Sequence, residues 1–340
     1  MFLKKFRFGK RYIGERSRTF FIAEIGINHE GSFNKCKFLI DKAKKAGADA
    51  VKLQTIDPEE NYIKNTPSYK IFKKSFLEKK DVIKLFNYSK LRNIDLFTTI
   101  GDLKTLDWIS KLKPPGYKIS SGLFSHKILI EEILKLSKPV IFSTGMASEE
   151  EFDSIYKLLK KKKAKKIAFL HCCSLYPSSN NNINLATIRL FQKKYSIPIG
   201  YSDHSIDYRN ILYAISSGAS IIEKHFTFDK KKKGFDHKIS CDYIELIKII
   251  KNIRILESTI GTLEKRISNK EKNKRKVMRR YIVAKKDLLK ECVITINDIA
   301  FKRVKNPFQA FDAQFVYKLL GKKLNRNLNK DQILKLKHLK

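Results

Sequence analysis

The chain lacks most of the features that mark specialised protein classes. Five cysteines in 340 residues, Cys36, Cys172, Cys173, Cys241 and Cys292, are odd in number and contain no C-x-x-C. That argues against a disulfide framework and a zinc ribbon and points to a reducing cytoplasm. Nowhere do about 18 apolar residues run uninterrupted, so no helix is expected to span a membrane. The opening MFLKKFRFGKRYIGERSRTF is basic but has no apolar core and no small-residue cleavage site, unlike a secretory signal. With 42% hydrophobic and 31% charged residues, the composition is that of a globular protein and too apolar for disorder.

Acidic residues are also scarce. The 34 Asp+Glu against 72 Lys+Arg leave a net charge of +38. Such a balance raises nucleic acid, an anionic membrane surface or an acidic substrate as partners. The lysines recur as short runs, Lys160–Lys163, Lys230–Lys233, Lys270–Lys276 and the closing KLKHLK, rather than as one stripe with interleaved aromatics. Gly (14) and Pro (8) are few while Phe, Ile, Asn and Lys abound, the pattern of A/T-rich codons. Genome-wide drift therefore accounts for the charge without a nucleic-acid or membrane partner. The remaining functional reading is a positive field that draws in an anionic substrate. The runs are expected in helix ends, a loop and a linker, away from the chemistry.

Short β-prone runs alternate with amphipathic stretches: 20–26, 50–55, 95–100, 116–121, 139–145, 166–172, 198–204 and 220–226. Helical periodicity fills the gaps, as in Cys36, Leu39, Ile40, Ala43 and Ala46. Gly47 is placed to end that helix, and Ser148 with Glu151 has the spacing of a capping box. Eight β-then-α units predict a (β/α)8 barrel over residues 1–262. A doubly wound sheet is disfavoured because the first turn lacks its glycines. A charged linker is expected over 263–276, then a small β-rich domain over 277–340.

The C-terminal ends of barrel strands form the active site in this architecture. Here those ends carry Glu24; Lys52 and Gln54; Thr98 and Thr99; Lys118, Ser120 and Ser121; Ser143 and Thr144; His171; Ser202, Asp203 and His204; and Glu223, Lys224 and His225. Burying so many polar groups without a ligand is costly. Lys52 and Lys118 with the hydroxyls of Thr99, Ser121, Ser143 and Ser202 suit a phosphate-bearing anion. His204 and His225 end neighbouring strands and could converge on one divalent metal, Mn²⁺, Fe²⁺, Zn²⁺ or Co²⁺ rather than Ca²⁺. His29, His126 and His237 read as structural. The residues alone thus describe a metal-assisted enzyme acting on a phosphorylated small molecule.

The segment IAEIGINHEGSFNKCKFLIDKAKKAGADAVKLQT (22–55) resembles the opening signature of the sialic acid synthase (N-acetylneuraminate synthase) family. YKISSG, FSTGMAS, LHCCSLYPSS, IGYSDHS, IIEKHFT and GFDHKIS follow in the family's order. YIVAKKDLLKECVITINDIAFKR (281–303) resembles its antifreeze-like (SAF, β-clip) domain. The resemblance implies condensation of phosphoenolpyruvate with an N-acetylmannosamine-type sugar to a nonulosonic acid, with release of phosphate. It places Lys52, Thr99, Lys118, Ser121, Ser143, Ser174, Tyr176 and Ser202 on phosphoenolpyruvate. His204 and His225 fall on the metal, Mn²⁺ first, with Mg²⁺ or Co²⁺ as alternatives. Glu24, Gln54 and Asp236 fall on metal-bound water or the sugar. Arg303 falls on an arginine that enters the other subunit's barrel, implying a domain-swapped homodimer. In the implied chemistry the metal polarises the sugar aldehyde, C3 of the enol phosphate attacks it, and water captures C2 before phosphate leaves.

The chain departs from that pattern at Ile100 and Gly101, where the family has proline and an aromatic, and at Leu123, where it has a carboxylate. Phe235 replaces the proline of G-P-D-H, Arg303–Phe308 lacks R-P-x-x-G-I, and the loop 57–76 is short. Leu123 and Phe235 suit a less hydroxylated acceptor such as a 2,4-diacetamido-6-deoxy sugar. The competing readings are another phosphoenolpyruvate aldol-type synthase, a barrel that binds without turnover, and a basic polyanion binder.

Overall fold

The computed structural model describes residues 1–262 and 264–340, so Leu263, the first residue of the expected linker, lies outside the described residues. Residues 1–19, which carry no clear pattern, hold two four-residue strands, β1 (Lys5–Phe8) and β2 (Arg11–Gly14), paired antiparallel. Gly9, at φ 55°, turns between them, a left-handed conformation that glycine adopts without a Cβ penalty.

The eight apolar runs form parallel strands: β3 (Phe20–Gly26), β4 (Ala50–Thr55), β5 (Asp95–Ile100), β6 (Tyr117–Ile119), β7 (Val140–Ser143), β8 (Ile167–Cys172), β9 (Ile199–Asp203) and β10 (Ile221–His225). They close in the order β10-β3-β4-β5-β6-β7-β8-β9, the (β/α)8 barrel that the repeat arithmetic implies. Closure pairs Ile221 with Phe20 through to His225 with Glu24. Strands such as β3 and β10 are buried at every position, because one face meets the barrel interior and the other the helices. Continuous apolar runs, not alternation, are the resulting sequence pattern.

Local chemistry starts and stops the helices as expected. In the Phe33–Ala46 helix Ser32 accepts from the Lys35 N–H, and Gly47, at φ 94°, donates back to Ala43 and Lys44. Ser148 and Glu151 form a reciprocal capping box on Glu149–Lys161. The β1–β2 hairpin closes the N-terminal end of the barrel: Phe6, Phe8 and Ile13 pack with Phe20, Ile22, Phe97, Ile141, Leu170 and Ile221. Gly116 makes room for it, since a Cβ there would lie 2.3 Å from Phe8 Cε2 and 2.7 Å from the Pro139 carbonyl.

The contacts divide the chain into Met1–Gly261 and Thr262–Lys340. The second unit pairs β11 (Tyr281–Ala284) antiparallel with β12 (Ile299–Lys302). Its own core includes Ile282, Leu288, Ile294, Leu319, Leu324 and Leu334.

Three features differ from or add to the sequence reading. Within the segment expected as a linker, Asn269–Met278 forms a helix capped by Ser268, whose side chain accepts from the Glu271 N–H. The 57–76 loop holds two short helices, Pro58–Asn61 and Pro67–Lys74, each with proline in its first turn, where the missing N–H costs nothing. The Lys230–Lys233 run lies in the loop after β10, at the C-terminal end of the barrel, with Lys232 bonded to Glu30. Charge density hid all three, because it masks periodicity and caps alike.

Phe8 is fully buried and stacks edge-on against Phe20 and Phe97. Phe8→Ala is therefore expected to cost about 3–5 kcal/mol, read from the urea midpoint. A loss below about 1 kcal/mol would show that the hairpin is not part of the barrel core.

Candidate active site

At the C-terminal end of the barrel a cavity of about 530 Å³ is lined by thirteen of the fourteen residues singled out above, Glu24, Lys52, Gln54, Thr99, Lys118, Ser121, Ser143, Ser174, Tyr176, Ser202, His204, His225 and Asp236. The fourteenth, Arg303, is exposed in the second unit just after β12. Alternation along each strand does the sorting. Ser202 and His204 face the cavity while Asp203 does not, and the same holds for Glu223 and His225 against Lys224.

Two lysines and two carboxylates are buried together. Lys52 Nζ lies 2.8 Å from Glu24 Oε2 and 3.8 Å from Glu223 Oε2, while Lys118 Nζ lies 3.8 Å from Glu223 Oε1. All four side chains are 5% exposed or less. Lys52 also donates to Thr99 Oγ1 at 3.2 Å and Lys118 to Ser143 Oγ at 2.6 Å. Ser202 donates to Glu223 at 3.0 Å and Gln54 Nε2 to Glu24 at 3.2 Å. Gly145 keeps the other wall open: a Cβ there would stand 2.2 Å from Ser174 Oγ and 2.8 Å from Ser121 Oγ.

The protonation pattern of this cluster is asymmetric. Burial raises the Glu24 carboxyl to about 7, and Glu223 adds to the rise against the opposing pull of Lys52. Burial would raise Glu223 too, but Lys118 and Lys52 together hold it below the usual carboxylate range. Burial lowers Lys118. It opposes the charge on Lys52 as well, yet the carboxylates of Glu223 and Glu24 outweigh it and Lys52 is raised. A raised Glu24 beside a raised Lys52 is not what an isolated pair would show. Glu223 reconciles them: it carries the negative charge facing both lysines and leaves Glu24 as the group that exchanges a proton near neutrality.

Next to this cluster stand two imidazoles, His204 and His225, with ring centroids 5.4 Å apart. His204 Nδ1 lies 2.8 Å from the Cys173 carbonyl. That contact fixes the tautomer with the proton on Nδ1 and leaves the Nε2 lone pair toward Tyr176, whose hydroxyl is 3.1 Å away. His225 Nδ1 is buried without a hydrogen bond, 3.4 Å from Asp236 Oδ2. A buried imidazole nitrogen left unpartnered is a costly feature that a bound cation would explain. Among the described residues no group of three or more His, Cys, Asp or Glu has metal-ligand spacing. The donor set fits a divalent ion held by two imidazoles, with oxygens in the remaining positions.

Three histidines have structural partners instead. His126 Nδ1 accepts the Leu129 N–H at a helix start, His29 Nδ1 accepts from Gly31, and His237 lies between Thr227 and Glu30. His171 is 2.6 Å from the Ile183 carbonyl. Two further cavity residues, Glu223 and Cys172, were given no role from sequence. Glu223 stood among the strand-end polar groups, two residues before His225 and on the same face. Cys172 Sγ, 3.7 Å from His204 Nδ1, carried no spacing signal.

The remaining wall is apolar and includes Leu123, Phe235, Met146, Ile71 and Phe72. A Cβ at Gly101 would lie 2.0 Å from Asn61 Oδ1, so any larger residue there would displace the Asn61 side chain, which donates to Asp102 at 3.0 Å. A larger cavity, about 920 Å³, opens at the opposite end of the barrel around Thr19, Pro198 and Ser220. Its Arg254 is engaged by Glu257 and the Thr19 carbonyl, and it gathers no comparable set of reactive groups.

Residues 39–265 match the NeuB family model. The chain is 32% identical over 334 residues to the N,N'-diacetyllegionaminic acid synthase of Campylobacter jejuni, covering 94% of this chain and 99% of that one. It is 30% identical to the pseudaminic acid synthase of the same species, covering 94% and 96%. Among solved structures, an N-acetylneuraminic acid synthetase from Leptospira borgpetersenii superposes with a TM-score of 0.77 at 33% identity, covering 81% of this chain and 97% of that one.

The raised Glu24 carboxyl has a thermodynamic signature. Between the ordinary carboxyl value of 4.5 and about 7 the folded chain keeps a proton that the unfolded chain has released. This contribution to stability is therefore present at low pH and is lost as pH rises through that window. Glu24→Gln is expected to flatten the decline in unfolding free energy from about pH 5 to about pH 8, measured by urea titration at several pH values. Parallel curves for the two proteins would contradict the assignment.

Proposed function

The chain belongs to the NeuB family, and from that premise we propose that it condenses phosphoenolpyruvate with an N-acetylmannosamine-type sugar and releases phosphate. The observation that carries this reading is the pair of buried ammonium groups, Lys52 and Lys118, bonded to hydroxyls and facing an open cavity beside two imidazoles. A phosphate ester and a carboxylate on one small molecule match that donor set.

In the proposed reaction Lys52, Lys118, Thr99, Ser121, Ser143, Ser174, Tyr176 and Ser202 bind phosphoenolpyruvate. His204 and His225 would hold the divalent ion, which we take to be Mn²⁺, and its chemistry is polarisation of the sugar aldehyde. The nucleophile is C3 of the enol phosphate. Positive charge then develops at C2, and the Glu24 carboxylate orients the water that adds there and takes its proton. Gln54 and Asp236 fix that water and the sugar. The C2–O bond then breaks, phosphate leaving with the bridging oxygen and its electron pair while the added hydroxyl gives up its proton to become the C2 ketone. The proton taken from water is passed to the former aldehyde oxygen, which becomes a hydroxyl.

A 2,4-diacetamido-6-deoxy sugar is the favoured acceptor. Leu123 and Phe235 place apolar surface in the cavity where a fully hydroxylated sugar would want donors and acceptors. Arg303, exposed on the second unit, is proposed to enter the cavity of a second copy, making the working form a domain-swapped homodimer in which that unit is the antifreeze-like domain. Five free cysteines suit work in the cytoplasm. No helix among the described residues is long and apolar enough to cross a membrane.

Phosphate release with phosphoenolpyruvate, Mn²⁺ and either N-acetylmannosamine or its 2,4-diacetamido-6-deoxy analogue tests the reading. Release dependent on the sugar, and lost in His204→Ala, is expected. No release with any acceptor, or release with erythrose 4-phosphate alone, would overturn it. Chains carrying Arg303→Ala and chains carrying His204→Ala, each inactive alone, are expected to regain activity when refolded together. Absence of complementation would remove the swapped dimer.

A further inference from the structure

On β9 and β10 the residues between the cavity-facing ones are Asp203 and Lys224, and they sit directly opposite each other in the strand register. Behind the wall they form an ion pair: Lys224 Nζ donates to Asp203 Oδ2 at 2.8 Å, with side chains 3% and 0% exposed. The surroundings satisfy the rest of both groups. Asp203 Oδ1 accepts from Tyr201 Oη at 3.0 Å, from the Ser205 N–H at 3.0 Å and from Ser205 Oγ at 2.6 Å. Lys224 donates in addition to the Ser205 carbonyl. Asn210 ties Ser205 Oγ to Asn180.

This network does two things to the imidazoles. The bond from Asp203 to the Ser205 N–H is a side-chain turn around His204, fixing the direction in which the chain leaves β9. The ion pair locks β9 to β10 one residue before His204 and one before His225. Neither charge touches the cavity. A buried ion pair is a poor device for stability, since burial costs about as much as pairing returns. It is an effective device for register, because sliding either strand would leave a buried charge alone.

We infer that Asp203 and Lys224 are positioning residues: their buried ion pair sets the separation and orientation of His204 and His225, and thereby the affinity of the site for its divalent ion. The inference rests on the proposed function, which makes those imidazoles metal ligands.

The test is direct Mn²⁺ titration of the full chain by calorimetry, alongside thermal unfolding. In Asp203→Asn/Lys224→Met the asparagine oxygen keeps the Tyr201 and Ser205 bonds, and no lone charge is left behind. The double variant is expected to melt within a few degrees of the wild type yet bind Mn²⁺ about 10- to 100-fold more weakly. Tyr201→Phe, which removes one bond to Asp203 and leaves both charges, is expected to weaken Mn²⁺ roughly two- to fivefold and keeps the test available should the double variant not fold. Wild-type Mn²⁺ affinity in a folded double variant, or in Tyr201→Phe, would overturn the positioning role alone. A wild-type protein that binds no Mn²⁺ would overturn both the role and the metal reading beneath it.

Discussion

The structure turns on the burial of two lysines against two carboxylates at the mouth of a barrel. Lys52 on β4 and Lys118 on β6 flank β5 at the mouth, and Glu223 on β10 comes within 3.8 Å of both. Each of these charges alone would cost several kcal/mol to desolvate, and together they nearly cancel. The barrel supplies what that cancellation requires: a closed ring whose register puts Glu24 opposite Lys52 and Ser202 opposite Glu223. Hydroxyls on the neighbouring strands take the remaining ammonium protons. A dianionic or trianionic ligand entering this mouth meets positive charge that is already dehydrated and oriented. That is the condition under which electrostatic stabilisation is strongest.

The two ends of the barrel divide the labour. At the N-terminal end the β1–β2 hairpin and an interior cluster of Phe, Ile and Leu form a dry core. At the C-terminal end the strand ends facing the cavity are polar or ionisable, and the apolar lining comes from the loops beyond them. The apolar end carries stability and the polar end carries chemistry, so the charged cluster is held by strands that are anchored elsewhere. The proposed acceptor then meets a mixed surface, polar at Asp236 and Gln54 and apolar at Leu123 and Phe235.

Much of this was legible in the residues. Barrel strands buried on both faces give compact apolar runs, and their polar ends stand out against them, so Lys52, Lys118, His204 and His225 were visible without coordinates. Caps at Ser148 and Gly47 were equally readable, because they depend only on local spacing. What was hidden depends on which way a strand faces. Lys224 stood among the polar strand ends, but its pairing with Asp203 behind the wall follows only from closure of the barrel. The hairpin was hidden because four-residue strands are too short to show a period. The Asn269–Met278 helix was hidden because its face is almost wholly charged. The net charge of +38 raised a polyanion partner only as one competing reading, and the lysines given a chemical role here are two buried ones and a third that sets strand register.

The central claim is that this charged mouth directs water to C2 of an enol phosphate rather than to its phosphorus. Phosphoenolpyruvate labelled with ¹⁸O in the bridging C2–O position tests it in one experiment, with the released phosphate read by the isotope shift in its ³¹P resonance. Label in the phosphate is the predicted result. Unlabelled phosphate, formed by cleavage at phosphorus, would contradict the account.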